Sequence, residues 1–321
     1  MPSLIFAGFE RPDFIELPLL LTRDNKIVVF DDLLLHPATN VAEVFPDRSR
    51  PDGNFYLLDF DLFEIEQLSF RKDPAGKGNI TMHPVAFTDA LQTIARLGEL
   101  LSHQFNILPV IKYPWFYTNE KKDISKAVLD IVVAQAESPE SNVFLKCYDP
   151  DELQRVHSDL LPGLPVEVKL IQGIDHPGGK ETMRTLRDGW EVYNYEWLFT
   201  RLGLRVVSSY AEGLSLVAPE TLDEMTLQRV IHDSHSLKMT IFIDGSHIPP
   251  ENLVTFSTKF LYDLNADGIS LSTPAALRDS LMKSDTLSPL NPGQSESPAD
   301  LHDTTISDNP EALIRRLQKA L

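Results

Sequence analysis

The sequence predicts an α/β chain folded as a (β/α)8 TIM-type barrel. Eight short apolar or β-branched runs recur along it, and helical patterns separate several of them. With 42% apolar residues, a chain of 321 has enough material for one large core or two small ones. The runs expected as strands are 4–8, 14–21, 107–112, 143–148, 166–172, 213–217, 239–244 and 268–272. Helical spacing is read over 88–104, 123–135, 150–160, 196–209 and 219–236.

Two features depart from a regular barrel. Residues 9–13 alone separate the first two runs, whereas a parallel crossover takes about a dozen residues. Either the first crossover helix is deleted or the first run lies outside the barrel. The second departure is a long insertion after the second strand, about 33–84, with turn signals at Phe45-Pro46-Asp47-Arg48, Arg50-Pro51-Asp52-Gly53 and Asp73-Pro74-Ala75-Gly76. Leu62, Ile65 and Leu68 mark a short helix within it. The barrel is thus expected over 1–283. Beyond it, 284–321 forms an acidic Ser/Pro-rich tail that predicts disorder, with helical spacing over 313–321 that fits either a docked terminal helix or a solvated end.

Net charge −18 argues against nucleic acid as a partner, because no Lys/Arg cluster offsets it. No apolar run is long enough for a membrane span, and the first residues lack a signal-like pattern, so a cytoplasmic location is expected. The single Cys147 excludes an internal disulfide framework, and its place at the end of an apolar run fits a buried, inert thiol. Oligomeric state is not legible.

The segment from Phe14 to Asp32 reads as an apolar strand carrying Glu16 and Pro18, a polar turn Thr22-Arg23-Asp24-Asn25-Lys26, and a second apolar strand ending Phe30-Asp31-Asp32. It resembles the signature of the glycerophosphodiester phosphodiesterase family: Glu-x-Asp, apolar residues, Thr-Lys-Asp, an apolar strand, then His-Asp. Further stretches are similar in order: Asn40-Val41-Ala42-Glu43-Val44-Phe45-Pro46-Asp47-Arg48, Ile111-Lys112-Tyr113-Pro114-Trp115-Phe116, Cys147-Tyr148-Asp149-Pro150-Asp151, Tyr193-Asn194-Tyr195-Glu196-Trp197 and Asp267-Gly268-Ile269. The resemblance runs from about Leu4 to Leu281 and implies the periplasmic-type bacterial branch of the PLC-like phosphodiesterase barrels.

The resemblance also implies a metal-dependent diester hydrolase, and there the sequence departs from it. Glu16 matches a metal ligand, but Pro18 stands at the metal Asp and Val110 at the third metal carboxylate. Phe30 replaces one catalytic His, Ala7 lies where the His-Arg-Gly of the other should be, and Ser272 replaces a late Asp. Asp31 survives, and Lys112 matches a lysine that the resemblance places near the substrate phosphate. A Mg²⁺ or Ca²⁺ site needs several hard oxygen ligands. Losing one acid/base group costs ~10² to 10⁴ in rate, and losing the metal costs several kcal/mol more. No cofactor is therefore expected, with Mg²⁺ or Ca²⁺ the choice should the site work.

Other candidates carry ordinary readings. Asp31, Asp32, His36 and Glu16 would make a shifted acidic cluster, but adjacent strand residues face opposite ways. His232 and His235 lack a third ligand pattern, and His247 with Asp244 would sit at a barrel rim. Asp175-His176-Pro177-Gly178-Gly179-Lys180 is a flexible loop and lacks the rest of a nucleotide-binding motif. Tyr113, Trp115, Tyr193, Tyr195 and Trp197 follow strands at the ligand end; they would pack loops together, or hold a choline-like cation or a glycerol face. Lys112, Trp115 and Tyr195 are the candidate substrate contacts. The expectation is a phosphodiesterase-like barrel that has lost catalysis and binds a glycerophosphodiester, another small molecule or a partner. The alternative is an active enzyme with a rearranged site.

Overall fold

The computed structural model describes residues 7–36, 38–71, 82–135, 143–176, 178–186, 189–217 and 222–272. Strands β1 (Phe14–Leu21), β4 (Asn106–Ile111), β5 (Val143–Cys147), β6 (Val168–Ile174), β9 (Gly213–Val217), β10 (Thr240–Asp244) and β11 (Gly268–Ser270) pair in parallel in the order β1-β4-β5-β6-β9-β10-β11. Beside β1 lie β2 (Ile27–Val29), antiparallel to it, and β3 (Val85–Ala86), antiparallel to β2. This nine-stranded, largely parallel sheet curls in the manner of an α/β barrel.

Alternation along β1 gives the sheet two distinct faces. Ile15, Leu17 and Leu19 are buried on the outer face, toward the helices, while Phe14, Glu16 and Pro18 are half-buried on the inner one. The Phe14 ring meets Phe144 of β5 edge-on at 5.0 Å and Phe242 of β10 at 6.4 Å. None of these strands pairs with another, so their rings meet only because the sheet bends round them.

The helices cover the outer face. Helix Phe87–Leu101 buries Phe87, Ala90, Leu91, Ile94 and Leu97 at three- and four-residue spacing and ends at Ser102 in the left-handed conformation. Ile124–Gln135 buries Ile124, Val128, Leu129 and Val132 in the same way. Glu224–Ser236 starts where Asp223 accepts the Thr226 N–H and buries Leu227, Val230 and Ile231. Together they supply the apolar layer that parallel strands require.

The expected first strand is corrected in part: 1–6 lie outside the described residues, but Ala7, Gly8 and Phe9 form a helical turn. Glu10 and Arg11 amides bond back to the Ala7 and Gly8 carbonyls, and a Cβ on Gly8 would stand 3.2 Å from Leu97. A link this short cannot join two parallel strands, so the chain coils against the helix instead. In the insertion, Leu62–Ile65 is helical, and Ile65 and Leu68 are fully buried. Residues 72–81, the Asp73-Pro74 turn among them, and the tail after 272 lie outside the described residues. An antiparallel hairpin, β7 (Met183–Leu186) and β8 (Gly189–Val192), was not expected.

Candidate active site at the open end of the barrel

The register sets the substituted positions side by side. Pro18 of β1 pairs with Val110 of β4, and Val110 pairs with Lys146 of β5, so a proline, a valine and a lysine form one row across three adjacent strands. Phe144 points inward to Phe14, and Lys146 two residues later faces the same way. Its side chain is fully buried.

The Lys146 ammonium is surrounded by acceptors. Nζ donates to Glu16 Oε1 at 2.8 Å and lies 4.0 Å from Asp244 Oδ2. It sits 5.0 Å from the centre of the Tyr148 ring, within cation–π range. Ser270 Oγ donates to the other Glu16 oxygen at 3.2 Å. Both oxygens of Glu16 are therefore engaged.

Lys112 also lies near Tyr148, with Nζ 5.7 Å from the ring centre and 5.3 Å from that of Tyr113. It bonds Asp31 Oδ1 at 2.8 Å and also pairs with Glu181. Burial disfavours its charge, but Glu181 and Asp31 outweigh that and hold its pKa above the usual lysine range. Glu181 Oε2 is buried and has no hydrogen-bond partner among the described residues. Burial pushes the Glu181 carboxyl up to about 7 against the pull of Lys112, helped by the nearby Asp175 and Asp31. Tyr113 holds a left-handed backbone, φ 50°, as Pro114 starts the helix behind it.

Tyr148 is fixed from behind. The Tyr195 hydroxyl donates to its carbonyl at 3.1 Å, as does the Gln172 side-chain amide at 3.2 Å. Gly173 allows the close approach: a Cβ there would lie 2.7 Å from the ring. Trp115 donates through Nε1 to the Lys180 carbonyl at 3.3 Å, and its ring lies 4.9 Å from that of Trp190 on the hairpin. Arg184 anchors the hairpin by a two-pronged pair with Asp149, 2.7 and 2.9 Å.

Several candidates have other neighbours. Phe30 is buried and stacks on Phe70 at 5.7 Å, and Ala7 lies in the helical turn. Asp32 accepts the Leu34 amide and His36 is exposed, so the shifted acidic cluster does not assemble. His235 pairs with Asp267 at 2.9 Å, His232 is exposed, and Ser272 donates to the Ser246 carbonyl. Cys147 is buried, and burial raises its pKa well above the usual thiol value.

A divalent metal does not fit these residues. Pro18 and Val110 offer no side-chain oxygen, and Glu16 is taken by Lys146 and Ser270. Among the described residues, no three His, Cys, Asp or Glu side chains come together as a metal-binding group. Sequence reasoning missed Lys146 and Glu181. Lys146 had a signal, a lysine on the inner face of the otherwise apolar run Val143-Phe144-Leu145-Lys146-Cys147. Glu181 had none, since it follows a loop.

The model of the glycerophosphoryl diester phosphodiesterase family matches residues 6–275. Glycerophosphodiester phosphodiesterases of Treponema pallidum (strain Nichols) and Haemophilus influenzae are 32% identical over 230 and 232 residues, which are 66% and 67% of this chain. Those stretches span 64% and 63% of the relatives, less than two thirds of their length. A crystal structure titled as a putative glycerophosphoryl diester phosphodiesterase from Silicibacter pomeroyi superimposes with a TM-score of 0.58 at 14% identity, covering 87% of this chain and 86% of that one. An Oleispira antarctica phosphodiesterase, solved with its product sn-glycerol-3-phosphate, superimposes at 0.55 and 14% identity, with 87% and 89% coverage. Among the described residues, no helix is long and apolar enough to cross a membrane. Fold, motif order and family match converge: this chain belongs to the glycerophosphoryl diester phosphodiesterase family.

Proposed function

We propose that this family member has given up metal-dependent hydrolysis and works as a barrel that binds a small molecule. The observation that carries the reading is the row Pro18–Val110–Lys146, with the Lys146 ammonium 2.8 Å from Glu16. Two positions that match family metal ligands have no side-chain oxygen, and the remaining carboxylate is paired internally. Both histidine positions of the family are also replaced, at Ala7 and Phe30. The Oleispira relative binds sn-glycerol-3-phosphate, which makes a glycerol phosphate or its diesters the first ligands to try. Lys112, just past the end of β4 beside Tyr113 and Tyr148 and paired with Asp31 and Glu181, is the cation to meet them once those pairs open.

One observation favours a second reading, an enzyme with a rearranged site. Glu181 retains a proton to near neutral pH beside Lys112 and is thereby equipped as a proton donor. The test of both is release of glycerol 3-phosphate from glycerophosphocholine and glycerophosphoethanolamine, with Mg²⁺, Ca²⁺ or Mn²⁺ supplied in turn and a catalytically complete family member alongside. No turnover above background supports the binding protein. A rate within about a hundredfold of the control, lost in Glu181→Gln, supports the rearranged enzyme.

A further inference from the structure

We propose that the Lys146 ammonium is the resident cation of this barrel, occupying by itself the place of a divalent metal ion, and that it bars hard divalent cations from the Glu16 carboxylate. Four observations support this. Lys146 is fully buried, although its nearest carboxylate, Glu16, is 26% exposed, so the charge is held inside and does not lean toward solvent. Its Nζ lies among three groups that attract a cation: Glu16 at 2.8 Å, Asp244 at 4.0 Å and the Tyr148 ring at 5.0 Å. The register places it level with Pro18 and Val110, two positions whose side chains offer a cation no ligand. Glu16 has no oxygen left over, because Ser270 takes the second at 3.2 Å.

These facts form one arrangement. A hard divalent ion needs several oxygen ligands. At Glu16 it would have to break the lysine pair, displace the serine and stand beside a buried positive charge. The ammonium asks for less: three hydrogen-bond donors and a single charge suit two carboxylates and an aromatic face. Replacing an oxygen ligand with proline or valine would leave the half-buried Glu16 and the buried Asp244 facing inward without a cation, and a lysine on a nearby strand relieves that. Lys146 is thus a positioning and neutralising residue, and the inner face keeps its acids without an exchangeable ion.

The inference deepens the metal-independent reading and rests on it, but a binding measurement separates the two. The probe is Mn²⁺ alone, titrated into the full chain, with free ion read by electron paramagnetic resonance. The proteins are the wild type, Glu16→Gln, Lys146→Gln and the double variant. The wild type and Glu16→Gln should give the same isotherm, since only surface acids bind in either. Lys146→Gln should gain one equivalent bound at least tenfold more tightly than any site of the wild type, and the double variant should lose it. A Glu16-dependent site in the wild type would overturn the proposal, as would folded Lys146→Gln that binds no better than wild type. Should Lys146→Gln fail to fold, Lys146→Met takes its place: it should gain the site and lose it again with Glu16→Gln, and a folded Lys146→Met that binds no better than wild type ends the proposal. Hydrolysis without Glu16-dependent binding would remove the binding-protein reading and leave this one; Glu16-dependent binding without hydrolysis would do the reverse.

Discussion

Replacing Glu181 with glutamine should stabilise the protein at alkaline pH and leave it nearly unchanged at pH 4.5. The carboxyl titrates near its ordinary 4.5 in the unfolded chain and at about 7 in the folded one, because burial outweighs the attraction of Lys112. Between those values the folded state binds more protons than the unfolded state, so stability falls as pH rises. The penalty is absent below about 4.5 and fully present above about 7. The gap between 4.5 and about 7 corresponds to roughly 3 kcal/mol, since a tenfold change in proton affinity is ~1.4 kcal/mol. Glutamine mimics the protonated acid, and its amide can serve the position of the orphaned Oε2.

The assay is urea unfolding of wild type and Glu181→Gln at half-unit steps from pH 4.5 to 8. The difference should open through that window to about 3 kcal/mol in favour of the variant, with unchanged denaturant slopes. A difference that stays flat would refute the reasoning. So would one of opposite sign, since it would mean that Lys112 dominates and the folded carboxyl titrates below 4.5.

Two further outcomes follow from the same contacts. Lys146→Met should cost ~1.5–3 kcal/mol by removing the charged hydrogen bond to the half-buried Glu16 and the cation beside Asp244, and adding Glu16→Gln should return a measurable part; purely additive costs in a double-mutant cycle would mean the pair is not coupled. Gly173→Ala should destabilise by ~1–3 kcal/mol, because its Cβ would press on the Tyr148 ring from 2.7 Å; an unchanged urea midpoint would show that Tyr148 is free to move.

Much of the fold could be read from the sequence because its signals are local. The run 14–21 became β1 without change of bounds, as did 213–217 for β9, since each alternates or is apolar throughout and is closed by turn residues. Periodicity could not show that residues 7–9 coil, because a short apolar run is compatible with either state until its neighbours are known. The hairpin Met183–Val192 was missed for a related reason: Met183-Arg184-Thr185-Leu186 and Gly189-Trp190-Glu191-Val192 have weak strand patterns, and side-chain contacts such as Arg184–Asp149 and Trp115–Trp190 secure them.

The site divides along the same line. The departures from the family motif at Pro18, Phe30 and Val110 could be read one position at a time. The pairing of Lys146 with Glu16 could not, because the two lie 130 positions apart and only the strand register brings them together. Lys112 was singled out, but its partner Glu181 reaches it from a loop whose path the sequence does not encode locally.

The most direct test of the central claim is a crystal structure of the wild-type protein soaked in MnCl2, with anomalous data collected near the manganese edge. The account predicts Lys146 Nζ between Glu16 and Asp244, with no anomalous peak at Glu16. A manganese peak bonded to Glu16, with the Lys146 side chain turned away, would contradict it.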